Sequence, residues 1–165
     1  MEDGLPMNSV FNIAQTRDGY IWVGTESGLA RFDGIKFEIV NWDSPPADTT
    51  VIVLRLFVSR SGALWIGTRG SGLIKYHNGT FERFGMKEGL SGNEIWGLAE
   101  SMNGTIWIGT LNGLDSYRDG KITKIPLPAA LQSHDIRSLL VDKRGRLWIG
   151  TNGGGLNRLI SGGKN

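Results

Sequence analysis

Residues 21–25 read IWVGT, and near-copies follow as LWIGT at 64–68, IWIGT at 106–110 and LWIGT at 147–151. The steps between Trp22, Trp65, Trp107 and Trp148 are 43, 42 and 41 residues, and these four are drawn from only six tryptophans in a chain of 165. A costly aromatic kept at one place in a period of about 40–45 residues marks a structural repeat.

Aligned on the Trp, the copies share a frame of Gly, any residue, Ile or Leu, Trp, Ile or Val, Gly, Thr, and then a Gly-Leu pair at 28–29, 72–73, 113–114 and 155–156. Each copy parses into short strands. The first covers 9–16, 51–59, 94–101 and 135–142, and the Trp segment is the second. The third covers 28–32, 72–76, 113–117 and 155–159, and the fourth 36–42, 80–86 and 121–127. Asp33-Gly34, Asn78-Gly79 and Asp119-Gly120 are expected to supply the two positive-φ residues of type I′ hairpins. Gly19, Gly62, Gly104 and Gly145 mark another tight turn before each Trp strand, in keeping with 25 glycines in the chain. No segment carries a helical apolar period beyond one turn.

Four-stranded antiparallel meanders at this period predict an all-β β-propeller fragment over 1–165. The blades span about 9–42, 51–86, 94–127 and 135–160, the last one lacking its outer strand. Trp22, Trp65, Trp107 and Trp148 are expected to fill the wedges between neighbouring sheets, and the Gly-Thr after each to let the chain turn toward the third strand.

The stretch NSVFNIAQTRDGYIWVGTESGLARFDGIKF (8–37) and its copies resemble the two-component regulator propeller repeat, and the resemblance covers the whole chain. It implies the extracytoplasmic, periplasmic sensor region of a bacterial receptor such as a hybrid histidine kinase or diguanylate cyclase. It also implies further propeller blades in the parent chain, a membrane anchor and an output module elsewhere. The ends of the sequence fit that expectation. EDGLPMNSV (2–10) parallels the internal connection KEGLSGNEI (87–95), and LISGGKN (159–165) stops where the third-to-fourth-strand turn would fall.

Composition narrows the partners. A net charge of +2 from 18 basic and 16 acidic residues argues against nucleic acid, and DKRGR (142–146) falls on a turn. There is no Cys and no apolar run near ~20 residues, so thiolate sites are excluded and no direct membrane contact is expected. MEDGLPMNSV has neither the basic head nor the apolar stretch of a signal peptide.

No catalytic constellation emerges, and no cofactor or metal site is expected. TRDGYIW (16–22) resembles the Asp-box turn of sialidases but is one residue short, and SRSGALW, SMNGTIW and DKRGRLW lack its Asp at that place. His77 and His134 fall at opposite ends of their blades, and Asp33 and Asp119 are turn formers. The informative positions are those that differ inside the fixed frame. Glu26, Arg69, Leu111 and Asn152 follow the Gly-Thr, with Asn112 beside them. Asn12, Arg55, Gly97 and Ser138 are equivalent along the first strands. Glu26, Arg55, Arg69, Asn112 and Asn152 are therefore the candidate ligand-binding residues, although drift of unconstrained loops accounts for the divergence as well. Trp42 and Trp96, outside the repeated position, are the candidates for stacking on a sugar if exposed, but core packing is the expected role of each. The reading is a non-enzymatic sensory module for a small molecule or glycan fragment, with a protein-interaction scaffold as the alternative. Uncovered end faces of a four-blade arc predict a homo-oligomer.

Overall fold

The computed structural model describes residues 5, 7–42, 51–127, 131 and 133–159. Among them fifteen strands form four antiparallel sheets in which each strand pairs with its neighbour in sequence. Blade 1 contains β1 (Val10–Gln15), β2 (Ile21–Thr25), β3 (Gly28–Phe32) and β4 (Phe37–Val40). Blade 2 contains β5 (Ile52–Val58), β6 (Leu64–Arg69), β7 (Leu73–His77) and β8 (Thr80–Phe84). Blade 3 contains β9 (Ile95–Glu100), β10 (Ile106–Thr110), β11 (Gly113–Arg118) and β12 (Lys121–Ile125). Blade 4 has three described strands, β13 (Ile136–Val141), β14 (Leu147–Thr151) and β15 (Gly155–Leu159). One 3-10 turn at Met86–Glu88 joins blades 2 and 3.

The blades meet chiefly through their first strands, β1 on β5, β5 on β9 and β9 on β13. What lets them come so close is the Gly of the Trp strand. A Cβ on Gly24 would stand 2.6 Å from Val53 Cγ1, on Gly67 3.0 Å from Ile95, and on Gly109 2.5 Å from Ile136 Cγ2. Each of these glycines is a socket for a β-branched residue at or next to the start of the following blade's first strand. Sequence suggested that this Gly eases a turn, yet it lies inside a strand, and the contact it permits is between sheets.

Strand pairing puts Trp22 opposite Arg31, Trp65 opposite Lys75, Trp107 opposite Ser116 and Trp148 opposite Arg158. Trp22 and Trp65 are 1% and 2% exposed, each with an aromatic ring of the next blade against it: Tyr76 at 4.9 Å and Tyr117 at 4.8 Å between centroids. Trp107 and Trp148 are only half-buried, which corrects the expectation that all four are buried. Leu159 stands in register where the earlier blades offer Tyr, and Ser116, opposite Trp107, is too short to cover it. Beyond Trp148 no described blade follows.

The turn ahead of each Trp strand is identical in all four copies. The carbonyls of Thr16, Ser59, Ser101 and Asp142 accept from the amides of Gly19, Gly62, Gly104 and Gly145, whose φ lies between 76° and 91°. The side chain of the same residue reaches the indole, since Trp22 Nε1 donates to Thr16 Oγ1 at 2.8 Å, Trp107 Nε1 to Ser101 Oγ, and Trp148 Nε1 to Asp142 Oδ2 at 2.9 Å. In blade 2 the Ser59 hydroxyl is engaged with Ser61 and the Ala63 carbonyl, and Trp65 Nε1 has no partner among the described residues.

The hairpins differ in one place from expectation. Asn78-Gly79 and Asp119-Gly120 both have positive φ, as type I′ requires. In blade 1 only Gly34 does. There the connection is longer, and the Asp33 carboxylate accepts the amides of Ile35 and Lys36 at 2.8 and 2.9 Å, so the Asp side chain closes the turn together with the backbone bond from Asp33 N to Lys36 O.

Trp65→Ala is expected to cost ~3–5 kcal/mol as a large-to-small core change, and Trp148→Ala distinctly less because one face of that ring is open. Urea unfolding of both variants checks the ranking. Gly109→Ala is expected to lose ~1–3 kcal/mol by overpacking against Ile136, measured in the same way.

Candidate functional site

Each first strand carries a bulge just after its knob residue, so Phe11, Leu54, Trp96 and Arg137 are left out of the pairing register. These four are equivalent, and they stand at the same end of the blades as the second-to-third-strand loops. Bulges free a side chain from the alternation of the sheet and aim it elsewhere. Two of the four aimed residues, Trp96 and Arg137, are polar or amphipathic, and the chemistry of this face gathers around them.

Arg137 places its guanidinium 4.3 Å from the Trp96 ring centre, and Arg69 of blade 2 approaches the same ring at 5.8 Å. Both arginines are held by carboxylates. Arg137 pairs with Asp135 at 2.7 Å and Arg69 with Glu94 at 3.7 Å. Glu94 also accepts Trp96 Nε1 at 3.1 Å, and Asn152 Nδ2 donates to Asp135 Oδ2 at 3.0 Å. The result is a ribbon, Arg69–Glu94–Trp96–Arg137–Asp135–Asn152, running across three blades around one half-buried indole. The opposite signs balance, so the face offers many fixed donors and acceptors with little net field. Asp135 Oδ1 is buried and has no partner among the described residues.

Backbone bonds fix the loops beneath these side chains. Leu111 N donates to Glu94 O at 3.2 Å and Asn152 N to Asp135 O at 2.8 Å, and Gly70 N and Gly72 N both donate to Asn93 O. The Thr of each Trp strand closes its own loop, with Thr25, Thr68, Thr110 and Thr151 donating to the carbonyls of Gly28, Gly72, Gly113 and Gly155. In blade 3 a buried carboxylate adds to this. Asp115 is 0% exposed and accepts Ser91 N at 2.8 Å and Ser91 Oγ at 2.7 Å, while Asn112 Nδ2 donates to the Ser91 carbonyl at 3.3 Å. Burial raises the Asp115 carboxyl above its ordinary range, against the lowering effect of the two Ser91 bonds.

Of the residues singled out from sequence, the structure gathers Arg69 and Asn152 into the ribbon and puts Asn112 on the neighbouring loop. Glu26 is exposed on blade 1, away from Trp96. Arg55 lies one step further along the first strands, opposite Gly67 and partly buried. Its equivalent Asn12 bridges to the next blade, accepting Leu56 N at 3.2 Å. Trp42 is not exposed. It is buried in the core between blades 1 and 2, with Phe81 at 6.0 Å. Glu94, Asp135 and Arg137 were passed over in sequence, though each sits within two residues of a first-strand bulge and all are charged where neighbouring positions are apolar or neutral.

At the other end of the blades, Asp18 and His77 line a groove of about 320 Å³ between the turns of blades 1 and 2. His134 precedes β13 at the ribbon end, so the two histidines are far apart along their blades. Among the described residues no group of three His, Asp or Glu side chains is placed to hold a metal ion, and no described helix is long and apolar enough to cross a membrane.

Fold and faces together define a β-propeller arc with one decorated loop face. The two-component regulator propeller family matches residues 4–27, 89–112 and 130–153 of the chain. The extracellular domain of BT4673 of B. thetaiotaomicron, assigned to a hybrid two component system, superposes with a TM-score of 0.81 at 28% identity, over 94% of this chain and 22% of that one. The corresponding domain of BT3049 from the same organism gives 0.82 at 26% identity, over 96% and 24%. Histidine kinase P4 of Formosa agariphila is 46% identical over 50 residues, which are 30% of this chain and 4% of that protein. Virginiamycin B lyase from Staphylococcus aureus shares the fold alone, with a TM-score of 0.66 at 18% identity over 91% and 55%. The chain thus spans less than a quarter of the two extracellular domains and a twenty-fifth of the kinase.

A carboxyl whose pKa is raised by folding contributes stability that is complete below its unfolded value, near ~4, and is lost as pH rises through the folded value. Asp115 is therefore expected to make the wild type lose stability above about pH 4 relative to Asp115→Asn. Melting temperatures of the two proteins across the acid-to-neutral range test this: their difference should change with pH, and a constant offset would contradict it.

Proposed function

We propose that this chain is the ligand-sensing part of an extracytoplasmic propeller in a two-component-type receptor, that it acts without catalysis, and that it takes a carbohydrate fragment on the Trp96 face. The observation that carries the reading is the ribbon around Trp96. A half-buried indole supplies a flat apolar surface for the C–H face of a sugar ring. Arg69, Arg137, Asn112 and Asn152 supply donors in fixed directions, and Asp135 Oδ1 supplies an acceptor without a protein partner. A binding site of this kind needs a small number of oriented polar groups around an apolar platform, and hydroxyl-rich ligands can use both donors and acceptors.

The sensing role rests on the family and on the two extracellular domains of hybrid two component systems that share the fold. The physical link is that the ribbon spans blades 2, 3 and 4. A ligand that bonds to Arg69 and to Asn152 at once favours one relative packing of these sheets over another, and only such a differential affinity can shift a conformational equilibrium.

Isothermal titration of the chain with a panel of neutral, uronic and sulfated oligosaccharides tests the reading. At least one is expected to bind, with Trp96→Ala and Arg137→Ala each weakening it by about tenfold or more, as loss of ~1.4 kcal/mol implies, while the melting temperature changes little. Absence of binding across the panel, together with capture of a protein partner that Trp96→Ala abolishes, would replace the sugar reading by a scaffold one.

A further inference from the structure

Asp115 is a carboxylate at a place where the fold accepts an apolar side chain. Strand pairing sets it opposite Ile108, as Ala30 stands opposite Val23 and Ile74 opposite Ile66. Ala30, Ile74 and Asp115 are all 0% exposed, so blades 1 and 2 close with nothing polar here. Taking a carboxylate out of water costs free energy unless hydrogen bonds replace its hydration. Blade 3 therefore has no packing reason to hold one. What the side chain does is grip a single residue. Ser91, in the connection from blade 2, donates both its amide and its hydroxyl to the Asp115 carboxylate.

Ser91 opens the segment 91–94, which carries the glutamate of the ribbon. The Ser91 carbonyl accepts from Asn112 Nδ2, and a Cβ on Gly92 would stand 3.0 Å from the same nitrogen. The segment thus lies directly against the blade 3 loop. Asn93 O accepts the amides of Gly70 and Gly72 at 3.0 and 2.9 Å, which ties in the loop that follows Arg69. Glu94 O accepts from Leu111 N, while Glu94 Oε1 accepts from Trp96 Nε1 and faces Arg69. One short stretch, held at its head by Asp115, makes the contacts that orient Trp96, Arg69 and Asn112. In blade 4 the equivalent residue, Asn157, donates instead to Gly154 O of its own loop. Among the described residues this grip occurs in blade 3 alone, the blade that carries Trp96.

We infer, on the reading of the Trp96 face as a ligand site, that Asp115 is its positioning residue. By holding Ser91 it fixes segment 91–94, and through Glu94 it sets the direction of the Trp96 ring and of Arg69. Asp115 is fully buried, so it acts on a ligand only through these groups.

Nitrogen-15 NMR of the indole N–H groups in the ligand-free 165-residue chain tests this, with the Trp96 signal assigned from Trp96→Phe. In Asp115→Ala the Trp96 N–H is expected to exchange with water about tenfold faster, as loss of one hydrogen bond implies. Trp22 and Trp148, in other blades, should keep their rates. Asp115→Asn should bring Trp96 back to within about twofold of the wild-type rate, because a carboxamide can accept the Ser91 amide and donate to the Ser91 hydroxyl. If circular dichroism shows that Asp115→Ala does not fold, the double variant Ser91→Ala with Asp115→Ala removes both side-chain partners and serves in its place. Any saccharide of the titration panel that the wild type binds should bind Asp115→Ala at least about fivefold more weakly, and Asp115→Asn nearly as well as the wild type. An unchanged Trp96 rate in Asp115→Ala would overturn the inference, as would failure of Asp115→Asn to restore it. Equal acceleration at Trp22 and Trp148 would overturn it too, and make Asp115 a stability residue only. The exchange measurement needs no ligand, so a panel without binding would defeat the saccharide reading while this test still decides the positioning.

Discussion

The contact between a glycine in one Trp strand and a β-branched side chain at the head of the next blade governs the rest of this molecule. With no Cβ at Gly24, Gly67 and Gly109, the first strands approach until Val53, Ile95 and Ile136 fill the missing volume. Closeness at the inner end and divergence at the outer end make each gap a wedge. A wedge needs its largest side chain where it widens, and Trp on the second strand, two residues before the glycine and on the same side of the sheet, meets that need. Burial of such a ring contributes about 2–3 kcal/mol or more from transfer alone. Arg31 and Lys75, paired across the strand from Trp22 and Trp65, lie over the indoles and keep their own charges toward solvent.

The same approach of inner strands organises the loop face. Each first strand bulges immediately after its knob, so the knob must point into the socket while the next residue is turned out of register. Four equivalent positions are thereby presented at one end of the arc with a geometry that does not depend on which residue occupies them. Phe11 and Leu54 leave that position apolar in the first two blades, whereas Trp96 and Arg137 in the last two bring in an aromatic surface and a cation. Chemistry can vary there because packing is secured one residue earlier. This separation of scaffold from surface is what a recognition module on repeats requires, and it is why Arg69, Glu94, Asp135 and Asn152 can belong to different loops and still meet.

A second constraint ties the turn before each Trp strand to the Trp itself. The residue that begins the turn accepts the indole N–H with a hydroxyl in blades 1 and 3 and with a carboxylate in blade 4. Asp142 also accepts the Arg144 and Arg146 amides and the Arg146 guanidinium. The Trp148 N–H, followed by these donors, holds its carboxyl well below the usual carboxylate range. In blade 4 a charged acceptor thus replaces a neutral one.

Period, strand order and the tight turns were legible along the chain because they depend on neighbours in sequence: alternation, positive-φ glycines and one Trp every 41 to 43 residues. Asn78-Gly79 and Asp119-Gly120 adopt the turn their residue types demand, while Asp33-Gly34 departs from it because a longer connection lets the Asp side chain close the loop. Arg69 and Asn152 could be picked out as departures from a constant frame, but Glu94, Asp135 and Arg137 could not be joined to them, since they come from other loops and meet only when three blades are stacked. Burial of the Trp series was likewise undecided by sequence. Identical pentapeptides hold Trp65 and Trp148, yet one is covered by Tyr117 and the other is half open. Local sequence sets the backbone of each blade through short-range sterics and hydrogen bonds. What each identical residue touches is decided by the next sheet, and that contact exists only in the tertiary structure.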